Sequence, residues 1–245
     1  MIEARGLAKR FGAVEAVKGV SFTAPDGRIT GLLGPNGAGK STTLRLLYAA
    51  LSPDSGTALI DGEVVSAGNL ASRRTLGVLP HGAGLYPHLT ARENIRYYGQ
   101  LHGLKGAALE VRISDLLDLL ELGDAADRKT QGFSQGQKVK VGIARALIHS
   151  PRNLILDEPT NGLDVMAIRS LREVLRRLRA AGHCLLFSSH VMQEVAVLCD
   201  EVIIIARGEV VAQGTPEALR EQAGTASLED AFVRLLGNDV AGDAP

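Results

Sequence analysis

Two hydrophobic periods alternate along the chain and divide it. From residue 1 to 33 the apolar positions fall in short β-rich runs, Met1 to Leu7, Val17 to Phe22 and Ile29 to Leu33, with the turn sequence PDG at 25–27 before the last. Helical spacing appears from Thr42 to Leu51 and is stopped by SPDSG at 52–56, after which Thr57 to Ile60 and Glu63 to Val65 flank the hairpin signal Asp61-Gly62. Through 81–150 the period is helical. Thr90 and Glu93 have capping-box spacing ahead of ENIRYYGQLHG, and Ile113, Leu116, Leu117 and Leu120 recur on one helical face within 108–122. After Pro151, strands and helices alternate: NLILDE, a helix near 165–180, CLLFSS, a helix near 191–199 and the hairpin EVIIIARGEVVAQG. TPEALREQ and SLEDAFVRLL predict short helices from about 216 onward, and NDVAGDAP a frayed end. The alternation predicts an α/β fold, a mixed sheet of largely parallel strands covered by helices and interrupted by an all-helical insert.

Composition narrows what this fold can do. A chain of 245 residues with 45% apolar and 22% charged positions can bury a core, and its length suits one large domain carrying an insertion. Twenty-seven Lys and Arg offset 27 Asp and Glu, so no net field draws the chain to nucleic acid, and 4% aromatic content leaves little for base stacking. No apolar run approaches the roughly 20 residues that span a bilayer, and MIEARGLAKR lacks the apolar stretch of a signal peptide, which predicts a soluble, cytoplasmic protein. Cys184 and Cys199 lie in apolar stretches without neighbours at zinc spacing and read as buried free thiols. The 28 glycines belong to no low-complexity tract, which directs attention to tight backbone sites.

The first such site is GPNGAGKST at 34–42, following an apolar strand and opening a helix. Glycines there let amide groups turn around phosphate oxygens and the helix N-terminus adds its dipole; Lys40 can neutralise β/γ charge and the Ser41 hydroxyl can ligate magnesium. The second, NLILDEP at 153–159, ends a strand in two carboxylates: Asp157 falls at the sheet edge of the phosphate loop, where it can hold magnesium through water. Strand alternation points Glu158 elsewhere, to polarise a water toward the γ-phosphate. A third site, FSQGQ at 133–137, places Ser134 and Gly136 at a helix start, an anion site better suited to the nucleotide of a partner chain.

Together these segments resemble the ATP-binding cassette (ABC) proteins: GPNGAGKST is similar to their Walker A loop, FSQGQ to their signature, LILDEP to their Walker B strand, NGLD at 161–164 to their D-loop and SSH at 188–190 to their switch histidine. The resemblance runs from about residue 2 to 235. It implies a P-loop NTPase core (1–80 and 151–215) with an antiparallel β subdomain, a helical subdomain at 81–150, and short C-terminal helices with a tail over 216–245. It implies ATP and Mg2+ as cofactors, with Gly34, Pro35, Asn36, Gly37, Ala38, Gly39, Lys40, Ser41 and Thr42 around the phosphates. Phe11 would stack on adenine, Ser41 and Asp157 would serve the metal, and Glu158 and His190 the hydrolysis. Ser134, Gly136, Gln137 and Asp164 would act across a head-to-tail dimer of cassettes. The partner implied is an integral membrane permease, approached from the cytoplasmic face and docked near 82–98, where LYPHLT offers apolar and aromatic residues. FGAVEAVKGVSF, LYPHLTARENI and SLEDAFVRLL look most like export cassettes of the sodium-export and drug-resistance group.

Two positions depart from the family. His81, in GVLPH, replaces a glutamine that contacts magnesium and the attacking water, a role neutral imidazole can take with its one donor and one acceptor. Gln135 stands where the signature has glycine. The other readings are a cassette acting on ribosomes or DNA and a non-hydrolysing regulator; intact Glu158 and His190 argue against the second. Arg169, Arg172, Arg176 and Arg179 line one face of the 165–180 helix, read as solvated, and His88, His102, His149 and His183 have no metal spacing.

Overall fold

The computed structural model describes residues 1–82 and 84–241, and side chains up to residue 237. Two sheets form it. Strands β1 (Ile2–Phe11), β2 (Val14–Ala24), β4 (Ser55–Ile60) and β5 (Glu63–Val64) make an antiparallel sheet in the order β2-β1-β4-β5. The second has the order β10-β9-β3-β8-β7-β6, from β3 (Ile29–Leu33), β6 (Leu76–Leu79), β7 (Asn153–Asp157), β8 (Cys184–Ser189), β9 (Glu201–Ala206) and β10 (Glu209–Gly214). Its strands are parallel except β10, which pairs antiparallel at the edge.

Every residue of β3, β7 and β8 is buried, the mark of parallel strands covered on both faces. Alternation along them divides the core. Leu32, Ile155, Leu186 and Ile203 pack with Leu44 and Leu47 of α1 (Lys40–Leu47) under the antiparallel sheet. Leu33, Leu156, Phe187 and Ile204 face the other cluster, with α5 (Gln135–Leu147), α6 (Val165–Ala180) and α7 (Met192–Leu198). Between β6 and β7 the chain is helical: α3 (Ala91–Leu101), α4 (Gly106–Leu119) and α5, with Ile113, Leu116, Leu117 and Leu120 buried as their spacing predicts. The Thr90–Glu93 capping box forms in full.

The structure differs from the sequence reading at several elements. Helix α1 starts at Lys40 rather than Thr42 and ends at Leu47, because Gly39 in the left-handed region serves as its N-cap. Strand β1 continues to Phe11 against β2. Helix α2 (Leu70–Arg74), capped by Asn69, is too short to leave a periodic signal. After α8 (Pro216–Ala223), helix α9 (Leu228–Ala241) runs through 238–241, part of the segment expected to fray, since Phe232 and Leu235 anchor it in the core. The rest of that segment, 242–245, lies outside the described residues. The arginine face of α6 is not simply solvated. Arg172 binds Glu194 of α7 through two bonds of 2.9 and 2.7 Å and Arg179 reaches Asp200 at 2.8 Å, tying α6 across to its neighbours, while Arg176 pairs with Glu173 at 2.7 Å. Both cysteines are buried and free; burial pushes the Cys184 thiol up to about 12 and Cys199 well above its ordinary range, which leaves both unreactive.

Candidate nucleotide site

The site assembles at the carboxyl ends of β3, β7 and β8. A Cβ at Gly34 would lie 2.3 Å from the Ile205 carbonyl oxygen, and one at Gly39, whose φ is +102°, would lie 2.4 Å from that of Ala16. Only glycine lets loop 34–39 thread between β2 and β9 and open directly into α1, whose N-terminus then attracts anions. Lys40 is buried, and its ammonium donates to the Gly34 and Pro35 carbonyls at 2.8 and 3.1 Å.

Asp157, the last residue of β7, pairs in register with Ser188 of β8. Ser188 Oγ donates to Asp157 Oδ1 at 2.7 Å and accepts from the Glu158 amide at 2.9 Å. Ser41 Oγ donates to the same Oδ1 at 3.1 Å. Asp157 Oδ2 is buried with no hydrogen-bond partner among the described residues. An orphaned carboxylate oxygen in a buried position carries a desolvation cost that a cation would relieve, so Ser41 and Asp157 fit a hard divalent metal.

Glu158 corrects the sequence reading. The strand stops at Asp157 and Glu158 adopts φ +52°, so strand alternation does not set its direction. Its carboxylate turns into the cavity of Lys40, where Oε1 is 3.6 Å from Lys40 Nζ and Oε2 is 2.6 Å from His190 Nδ1. The cavity encloses about 530 Å3, and its wall includes Asn36, Gly37, Gly39, Lys40, Ser41, Thr42, Arg45, His81, Glu158, Asn161 and His190. The structure thus gathers the loop, Glu158, His190 and His81 into one place. Sequence reasoning missed Ser188, Asn161 and Arg45. Aligning LILD with LLFS as paired parallel strands would have exposed Ser188.

The remaining predicted residues stand outside this cavity. Phe11 ends β1 at 48% exposure, with Lys9 Nζ 5.9 Å from its ring centroid, so it is no core aromatic. Ser134 caps α5 in a reciprocal box with Gln137, and Gly136 gives α5 room, since a Cβ there would lie 2.9 Å from Ala167 Cβ. Asp164 caps α6 by accepting from the Ala167 amide at 2.8 Å. His102 and His149 stack 3.9 Å apart and, among the described residues, belong to no group of His, Cys, Asp and Glu that could hold a metal.

Backbone amides around a helix start, a buried lysine and a hydroxyl–carboxylate pair suit a triphosphate, and this fold with this site defines a P-loop NTPase. The chain belongs to the ABC transporter family, whose model matches residues 17–161. It is 42% identical over 224 residues to the ABC transporter ATP-binding protein NatA of Bacillus subtilis (strain 168), covering 91% of both chains. It is 41% identical to the Nod factor export ATP-binding protein I of Burkholderia lata, covering 90% of this chain and 72% of that one. A solved ATP-binding subunit of an ABC transporter superposes with a TM-score of 0.86 at 33% identity, over 96% of this chain and 99% of that chain. The chain is an ATP-binding cassette and an ATPase. Among the described residues no helix is long and apolar enough to cross a membrane.

Proposed function

We propose that this cassette hydrolyses ATP to energise export through a separate membrane permease, working as one domain over 1–235 from the cytoplasmic face. The observation that carries the hydrolytic reading is Glu158, bonded to His190 within the cavity of Lys40. Lys40 and the loop amides bind the phosphates. Glu158 accepts the proton of the attacking water, and His190 orients Glu158 and contacts the terminal phosphate. Ser41 and Asp157 would hold Mg2+, which would supply charge neutralisation to the phosphates. Phe11, exposed at the end of β1, is available to stack on adenine.

Catalysis in a head-to-tail dimer is supported by the exposed apolar pair Val165 and Met166, 80% and 71% exposed beside Asp164, and by the wall of the phosphate-loop cavity, which includes neither Ser134 nor Gly136. Permease docking is supported by α3 and the loop before it. Exposed Tyr86 packs edge-on against Tyr97, centroids 5.3 Å apart, and Leu101 continues that apolar strip one turn on. Beside them a cleft of about 340 Å3 opens between Tyr48, Tyr98, His102 and Arg145. Export accords with the name of the Burkholderia lata relative, and sodium ions or drugs as cargo rest on the resemblance of FGAVEAVKGVSF, LYPHLTARENI and SLEDAFVRLL to that group of export cassettes. Balanced charge does not favour a cassette directed at DNA or ribosomes. Measuring steady-state ATP hydrolysis by the wild type and by Glu158→Gln tests the reading: wild-type turnover in the variant overturns it.

A further inference from the structure

Helix α7 follows His190 after a single residue, Val191, and is only seven residues long. A helix of that length does not hold itself in water, and Val191, its N-cap, has no side-chain group to cap the first turn. Other elements must seat that turn. On the β8 side the chain is fixed: Ser189 is buried, and its hydroxyl accepts from the Val191 amide at 2.9 Å. On the helix side Val195 is buried, and so is Glu194, the third residue of α7, at 6% exposure, a burial that carboxylates tolerate when paired. Arg172 of α6 meets it as a fork, Nε donating to Oε2 at 2.9 Å and Nη2 to Oε1 at 2.7 Å. The far end of α7 is held differently. Asp200, two residues beyond the helix, accepts from Arg179 at 2.8 Å on Oδ1 and from the Ile29 amide at 2.9 Å on Oδ2, so it stays tied to β3 without the arginine.

A bidentate pair shielded from water fixes direction as well as distance, which a single exposed ion pair does not. The imidazole of His190 is itself 41% exposed, so its own packing leaves its aim to the backbone that carries it. We propose that Arg172 and Glu194 are a positioning pair for His190: their fork sets the first turn of α7, and with it the backbone from which Nδ1 reaches Glu158 Oε2 at 2.6 Å. The wall of the phosphate-loop cavity includes neither Arg172 nor Glu194, so the pair acts through the histidine. This inference rests on His190 serving hydrolysis together with Glu158.

The test joins steady-state ATPase of the full chain to its 15N-histidine spectra, in which the resonances lost in His190→Ala belong to His190 and report how its Nδ1 is bonded. Glu194→Gln keeps the shape of the side chain and removes its charge. It is expected to lower kcat about tenfold with KM for ATP within about twofold, and to shift the His190 resonances toward those of a free imidazole. Arg172→Lys keeps the charge but loses the fork; it should lower kcat about threefold with a smaller shift in the same direction, and it serves where Glu194→Gln fails to fold. Arg179→Gln cuts the tie at the other end of α7 and should keep kcat within about twofold and the resonances in place. Wild-type kcat or unmoved His190 resonances, in whichever of Glu194→Gln and Arg172→Lys folds, overturn the pair, as do equal effects in Arg179→Gln, which would mark a general loss of packing. If His190→Ala is inactive beside such a result, the pair alone is removed. If His190→Ala turns over ATP at the wild-type rate, the role of His190 goes and the pair goes with it.

Discussion

Glu158 Oε2 lies 2.6 Å from His190 Nδ1 while Oε1 of the same carboxylate is 3.6 Å from Lys40 Nζ. One side chain thus links the phosphate-binding lysine to the histidine beyond β8, and any phosphate reaching Lys40 competes with that carboxylate. Neutralising it by Glu158→Gln is expected to leave ATP binding equal or tighter while turnover falls at least a hundredfold, as loss of a general base entails. Equilibrium binding of labelled ATP with single-turnover hydrolysis checks both halves. Weaker binding would mean that Glu158 helps hold the nucleotide.

Lys40 is buried and holds its own loop through the Gly34 and Pro35 carbonyls. Lys40→Ala removes a charge-assisted contact of about 1.5–3 kcal/mol, which predicts ATP affinity lower by roughly ten- to a hundredfold. Titration calorimetry with ATP and with adenosine separates the effects. Adenosine binding should change little, because the lysine meets only phosphate.

His149 offers a pH prediction. Its ring stacks on His102 with planes 4° apart, and its Nε2 lies 3.0 Å from the Leu76 carbonyl, joining the helical insert to β6. Burial, reinforced by the His102 and Arg112 charges and opposed by the Leu76 bond, pushes His149 down to about 4. The unfolded chain takes up this proton near pH 6.5. Above that pH the group is neutral in both states; between about 6.5 and 4 the unfolded state binds the extra proton, so stability falls on acidification. His149→Phe keeps a stacking ring without titrating. Its midpoint of denaturation should fall less steeply than the wild type's over that range, and parallel slopes would count against the assignment.

The docking surface is testable in membranes. A photocrosslinker at Leu85 or Tyr86 should capture an integral membrane protein in cells expressing the native system, and one at Arg5, on the antiparallel sheet, should not. Equal capture at both positions would remove 82–98 as the docking face.

Much of this was legible because it is local. The phosphate loop needs its glycines, lysine and hydroxyl within one short stretch between a strand and a helix, so GPNGAGKST carries its own geometry. Thr90 and Glu93 cap α3 because a capping box spans only three residues, and Ile113, Leu116 and Leu117 point inward because helical spacing puts them on one face. The strand–helix alternation likewise announced the parallel sheet and its helical insert.

Pairing between distant segments was decided only by the tertiary structure. Asp157 meets Ser188 through the register of β7 with β8, and no spacing within either strand predicts that partner. Strand alternation was the wrong reason for the direction of Glu158, because the left-handed turn after Asp157 belongs to the loop's packing and not to the strand. The α6 arginines looked solvated until the fold set Glu194 and Asp200 opposite them. Periodicity reports which face of an element is buried; which other element covers that face, and in what register, depends on contacts whose sequence separation is arbitrary. For this chain the sequence by itself determined the nucleotide chemistry and the layers, and the packing of those layers placed Glu158, His81 and Gln135 around the same space.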